Sequence, residues 1–146
     1  MKIVIIGASF AGISAAIASR KKYPQAEISL IDKQATVGYL SGGLSAYFNH
    51  TINELHEARY ITEEELRRQK IQLLLNREVV AMDVENQLIA WAQKEEQQWY
   101  SYDKLILATG ASQFSTQIRG SQTEKLLKYK FLSGALAAVP LLEKSQ

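Results

Sequence analysis

Cysteine is absent from all 146 residues. Disulfides, thiolate nucleophiles and cysteine metal sites are therefore excluded within the chain, because the thiolate is both the reactive and the ligating form. Histidine is nearly absent too, with His50 and His56 alone. Neither has a partner at metal-ligand spacing, so solvated or capping roles are expected and no metal is assigned. No apolar run reaches the ~18 residues that span a bilayer. The N-terminus enters a strand-like run at once, so no signal peptide is expected and the cytoplasm is the default location. An excess of one charge is also missing. Seventeen Lys and Arg against 15 Asp and Glu leave +2, which gives no case for nucleic acid or an anionic membrane as a partner. Arg20, Lys21 and Lys22 are expected to oppose a helix dipole rather than to bind phosphate. No Ser/His/Asp order can be defended, so no catalytic residue is assigned. What remains, 47% hydrophobic and 22% charged, is an ordinary globular domain. It is long enough for its own core and too short for a two-cofactor enzyme.

The first twelve residues carry the strongest signal. Ile3 to Ile6 form an apolar β-branched run with no polar alternation, as expected of a parallel strand covered on both faces. Gly7 then permits a sharp turn. Gly12 lets a helix over about Ala11 to Lys21 pack close to the strand, aiming its N-terminal N–H groups at a pyrophosphate. An acid that binds a ribose hydroxyl is expected about 20 residues further on, and Asp32 closes a second apolar strand, Ile28 to Ile31, at that spacing. Ser9 stands where the middle glycine of the fingerprint is usual. Strand, turn, helix, strand and acid in register point to an adenine dinucleotide, FAD or NAD rather than NADP, because an acid suits a free ribose hydroxyl.

Further along, Lys33 to Gly43 reads as a polar, glycine-rich loop facing the cofactor. A short helix is expected near Leu44, and another turn or two within Ile52 to Arg59. Thr62-Glu-Glu-Glu65 has capping-box spacing and predicts a helix from Glu63 to about Lys70. Four strand-like runs follow: Ile71 to Leu75, Glu78 to Val84, Gln87 to Trp91 and Gln98 to Tyr102. With turns at Glu85-Asn86 and Lys94-Glu-Glu96, they read as an antiparallel β-meander. Lys104 to Ala108 is one more buried strand, ending in the glycine turn Thr109-Gly110, and open α/β sheets place ligands at such strand ends. Leu126 to Leu132 reads as a strand, and Gly134 to Lys144 as a helix kinked or started at Pro140. The fold class expected is α/β, a Rossmann-like FAD/NAD(P)-binding fold whose parallel sheet and helices are joined by the meander.

Gly7 to Gly12, Asp32, the loop Tyr39-Leu-Ser-Gly-Gly-Leu44 and the run Tyr102-Asp-Lys-Leu-Ile-Leu-Ala-Thr-Gly110 together resemble the FAD domain of one flavoprotein group. That group comprises the NADH oxidases, NADH peroxidases and coenzyme A-disulfide reductases of the pyridine nucleotide-disulfide oxidoreductase family. The resemblance covers essentially the whole chain. It implies that residues 1–146 form a single FAD-binding domain, the N-terminal part of a longer flavoprotein whose NAD domain and C-terminal domain lie elsewhere. It implies cofactor contacts at Gly7, Ser9, Phe10, Ala11, Gly12, Asp32, Lys33, Ser41, Gly42, Val79, Thr109 and Gly110. The implied partners are FAD and, for the longer protein, NADH and an electron acceptor, with a homodimer left open.

Two departures stand out. Gly42 occupies the position of the family's redox-active cysteine, and Phe10 that of the histidine placed near its sulfur. Peroxide reduction through a sulfenate is therefore excluded at this loop. Three functions stay open at this point. The first is the FAD-binding portion of a cysteine-free NADH oxidoreductase, inactive as a fragment. The others are a non-catalytic dinucleotide-binding module and a domain whose cofactor site is incomplete and empty.

Overall fold

The computed structural model describes residues 1–93, 96–111, 119 and 126–144. The chain divides into two compact units, one of Met1–Gly38 with Ile61–Gly110, the other of Tyr39–Tyr60 with Ala111–Gln146.

The first unit is built on a four-stranded parallel sheet of order β3-β2-β1-β7. Its strands are β1 (Lys2–Ile6), β2 (Glu27–Ile31), β3 (Ile71–Leu74) and β7 (Lys104–Leu107). A three-stranded antiparallel sheet, β4 (Val79–Asp83), β5 (Leu88–Gln93) and β6 (Glu96–Ser101), packs in the same unit. Side chains alternate between the two faces of a strand, and here both faces find apolar neighbours. Ile3 and Ile5 of β1, with Ile28 and Leu30 of β2, meet Ile13 and Ala16 of helix α1 (Phe10–Lys22) and Leu66 of helix α3 (Glu63–Arg68). Val4 and Ile31, on the opposite face, meet Ile89, Trp91 and Tyr102. Double coverage explains why these strands read as continuous apolar runs. Each fully covered Ile or Leu contributes about 1.5–3 kcal/mol relative to exposure.

The expected meander has three strands rather than four. Ile71 to Leu74 pairs parallel with β2, Ile28 opposite Ile71 and Ile31 opposite Leu74, so this run belongs to the main sheet. A short run of three apolar residues around Gln72 carries no record of its partner's direction. The hairpin at Glu85-Asn86 is present, with Asp83 accepting from the Asn86 backbone N–H at 2.9 Å. The tip expected at Lys94-Glu-Glu96 falls largely on residues 94 and 95, outside the described residues. Ser29, the buried polar side chain of the core among the described residues, bonds Gln72 at 2.9 Å and Tyr100 at 3.0 Å, where β2, β3 and β6 meet.

The capping box at Thr62 forms as its spacing predicts. The Thr62 hydroxyl accepts from the Glu65 N–H, while the Glu65 carboxylate accepts from the Thr62 N–H at 2.7 Å. The Thr62 hydroxyl also donates to the Glu65 carboxylate at 2.8 Å, and this bond, followed by that of the Thr62 N–H, holds the Glu65 carboxyl below the usual glutamate range. Arg20 does more than face a dipole. Its guanidinium donates to the carbonyls of Gln69, Pro24, Ala26 and Lys70 at 2.6–3.0 Å, joining the end of α1 to the end of α3 and the approach to β2.

The second unit contains α2 (Gly43–Phe48), a 3-10 turn at Leu55–Glu57 and α4 (Leu132–Glu143). Leu44, Leu55, Leu132, Ala135 and Ala138 form its core. The strand expected over Leu126 to Leu132 is not there. Residues 126–129 are irregular, and Leu132 already opens α4. The helix begins two residues before the expected Gly134 and passes through Pro140. Leu132 is buried, which shows that this apolar run serves a helix face rather than a strand. Among the described residues no helix is long and apolar enough to cross a membrane.

Candidate functional site

The two glycine turns leave neighbouring strands. β1 pairs with β2 on one side and β7 on the other, so connections depart in opposite directions from β1, and Gly7 and Thr109-Gly110 follow adjacent strand ends. Open α/β sheets bind ligands at such a switch point. The turn is tightly built. Gly7 has φ +110°, its N–H donates to the Ile31 carbonyl at 2.8 Å, and a Cβ there would overlap the Ala108 carbonyl. A Cβ on Gly12 would overlap the Gly7 carbonyl oxygen. The close approach of helix to strand expected for Gly12 is thus present.

Helix α1 starts at this turn with no acidic residue in its first turn. Ser9 is the N-cap, extended at φ −104° and ψ −165°, and its hydroxyl makes no capping bond to the helix. Ser9, Phe10 and Ala11 are exposed while Gly12 is buried. A helix N-terminus that is exposed, free of acids and uncapped by its own serine is a fitting seat for an anionic pyrophosphate.

Asp32 lies beside the turn and is already engaged. The Ala8 N–H donates to Oδ2 at 2.6 Å and the Gln34 N–H to Oδ1 at 2.7 Å. Each oxygen keeps a lone pair for a further donor such as a ribose hydroxyl. Asp32 therefore holds the glycine turn in shape as well as offering an acceptor, a role the spacing rule did not contain. Its own carbonyl accepts from the Arg77 N–H at 2.9 Å, bringing the start of the meander to the same place. Lys33 is paired with Glu78 at 3.0 Å. Val79, half-buried, opens β4 opposite Trp91, just before a bulge. The guanidinium of Arg77 lies 5.0 Å from the centre of the Trp91 ring.

Ten of the twelve expected cofactor residues thus belong to the first unit: Gly7, Ser9, Phe10, Ala11, Gly12, Asp32, Lys33, Val79, Thr109 and Gly110. Ser41 and Gly42 belong to the second. There, Gly42 is the N-cap of α2 at φ −81°, with nothing within 4 Å of a Cβ placed on it. Gly43 is different, since its Cβ would stand 2.5 Å from the Ala58 methyl and 2.9 Å from the Tyr39 hydroxyl. Burial pushes the Tyr39 phenol up from its ordinary value. His50 adopts a left-handed conformation, φ 58°, just past α2, and His56 lies 3.5 Å from the Arg59 guanidinium. Arg20, Gln34, Arg77 and Glu78 were not reached by sequence motifs, because their roles rest on partners far away in the chain.

A parallel sheet with a glycine turn, an exposed helix N-terminus and an acid at its switch point defines a dinucleotide-binding α/β protein. The model of the pyridine nucleotide-disulphide oxidoreductase family matches residues 1–138, and the chain belongs to that family. It is 33% identical over 112 residues to an NADH oxidase of Lactococcus lactis subsp. cremoris, covering 76% of this chain and 25% of that protein. It is also 33% identical over 122 residues to a rubredoxin-NAD(+) reductase of Pseudomonas putida, covering 84% of this chain and 31% of that one. Among solved structures, a pyridine nucleotide-disulfide family oxidoreductase from Enterococcus faecalis V583 is 82% identical, with TM-score 0.74. That match covers 99% of this chain and 29% of the other. The water-forming NADH oxidase of Lactobacillus brevis shares the fold at TM-score 0.88 and 23% identity, over 99% of this chain and 32% of that chain. The chain spans a quarter to a third of the length of these relatives.

Proposed function

We propose that residues 1–146 form the FAD-binding part of a flavin-dependent NADH oxidoreductase of NADH oxidase type, acting in the cytoplasm. The observation that carries this reading is the α1 N-terminus, exposed and free of acids at the strand switch point, with Asp32 bonded to the turn that shapes it. The chain's residues fit FAD as follows. Ser9 to Gly12 would seat the pyrophosphate, Asp32 would accept from the ribose, Lys33 and Val79 would flank the adenosine, and Thr109-Gly110 would border the flavin half. FAD supplies the electron-transfer chemistry when bound, and the protein supplies position and electrostatics.

The electron acceptor we propose is oxygen. With glycine at position 42 and phenylalanine at position 10, this loop offers no sulfur on which peroxide could be reduced further. The balanced reaction is NADH + H⁺ + O₂ giving NAD⁺ + H₂O₂. In the longer protein that carries this chain, a peroxide assay run beside NADH consumption under air should give close to one peroxide per NADH. Little peroxide would contradict the assignment of outcome to the missing thiol.

A further inference from the structure

Three cross-links run side by side between the residues that follow β2 and those that precede β4. Asn76 N–H donates to the Gln34 carbonyl at 3.1 Å and Arg77 N–H to the Asp32 carbonyl at 2.9 Å. Lys33 Nζ meets Glu78 Oε1 at 3.0 Å. The first side carries Asp32 and Lys33, and the second leads straight into Val79. Folding stability gives little reason for the ion pair, because its side chains are 55% and 61% exposed and exposed pairs contribute little to folding. Its position is more informative than its strength. It ties the residue after the ribose acid to the residue before Val79, so it acts on the spacing between two segments that would hold one ligand.

We propose that Glu78 is a positioning residue for FAD: by holding Lys33 it keeps residues 32–34 in register with 76–79 before the cofactor arrives. The inference rests on the FAD reading above. A site whose flanking segments are already ordered loses less freedom on binding. Glu78 acts through Lys33 and needs no contact with FAD.

Two roles for Lys33 give opposite signs. If Glu78 positions Lys33, removing the carboxylate loosens the clasp and weakens FAD binding. If Lys33 is instead a cation held for the pyrophosphate, releasing it from Glu78 leaves binding unchanged or tightens it. Quenching of FAD fluorescence on titration with the chain measures this. Glu78→Gln is expected to bind FAD about two- to fivefold more weakly, the fold-change that matches an exposed ion pair. Lys33→Glu should bind more weakly still, and the double variant Lys33→Glu with Glu78→Lys should recover part of that loss, since a swapped pair closes the same clasp while the Lys33 side chain itself is gone. The gap between the unmodified chain and Glu78→Gln should narrow from about 0.05 M to 0.5 M salt, as screening grows. Equal or tighter binding by Glu78→Gln, or a double variant as weak as Lys33→Glu, overturns the proposal.

A second readout needs no FAD. Amide hydrogen exchange at Asn76 and Arg77 in the unliganded chain should quicken in Glu78→Gln, and unchanged exchange overturns the clasp. Failure of the unmodified chain to bind FAD would instead overturn the functional reading, while exchange would still decide whether Glu78 orders the two segments.

Discussion

The turn at Gly7 to Gly12 and the loop at Gly42 are both glycine-bearing, yet they treat an added side chain in opposite ways. At the first, a Cβ on either Gly7 or Gly12 would run into backbone carbonyl oxygen. At the second, Gly42 has an ordinary negative φ and open space around it. The difference separates two reasons for a glycine. Gly12 is needed because helix and strand touch there, and the phosphate seat we propose depends on that closeness. Nothing in the backbone requires a glycine at 42, so the missing thiol is a matter of chemistry rather than of packing. Gly43, one residue on, is held by Ala58 and Tyr39, which marks how local the distinction is.

The largest effect is expected from breaking the tight turn. Gly12→Val should destabilise the unliganded chain by about 3 kcal/mol, the upper part of the usual overpacking range, and abolish FAD binding. Denaturant unfolding beside a FAD titration checks both. A well-folded variant that binds FAD normally would remove the turn from the site.

Asp32→Ala comes next. The carboxylate holds the Ala8 and Gln34 amides, so its loss leaves donors unpaired as well as removing the ribose acceptor. FAD binding should weaken by about 1–3 kcal/mol, the scale of a charge-assisted hydrogen bond. Equal affinity in both proteins would show that Asp32 serves the turn alone.

The smallest effect is expected at the open glycine. Gly42→Cys should change stability by no more than about 0.5 kcal/mol, as for a surface substitution without strain, and add one thiol that reacts with a thiol reagent. A loss of several kcal/mol would place hidden packing at this loop. In a protein that carries this chain together with an NADH-binding domain, Gly42→Cys together with Phe10→His should lower the peroxide formed per NADH, because a thiolate reduces peroxide to water and becomes a sulfenate that further NADH returns to the thiolate. An unchanged ratio would separate the product from the thiol.

The parts of the molecule legible in the sequence are those fixed by neighbours along the chain. The β1 run, the glycine turn, α1, the Thr62 capping box and the acid at position 32 all depend on residues a few positions apart. The parts that were not legible depend on distant partners. Ile71 to Leu74 looks the same whether its neighbour runs parallel or antiparallel, and only β2 decides it. Leu126 to Leu132 read as a strand because apolar density is shared by strands and buried helix faces. Arg20 looked like a helix-end charge, yet its carbonyl partners at Gln69 and Lys70 lie about fifty residues away. Asp32 was found by spacing, but its bond to the Ala8 amide was not, since the fingerprint names the acid for its ligand and not for the turn.

The measurement that bears most directly on the central claim is a FAD titration of the purified chain, followed by absorbance and by quenching of flavin fluorescence. The account predicts saturable binding of one FAD per chain that Gly12→Val abolishes and Gly42→Cys leaves intact. Absence of binding, or binding that survives Gly12→Val, would contradict the claim that the tight turn is the cofactor's seat.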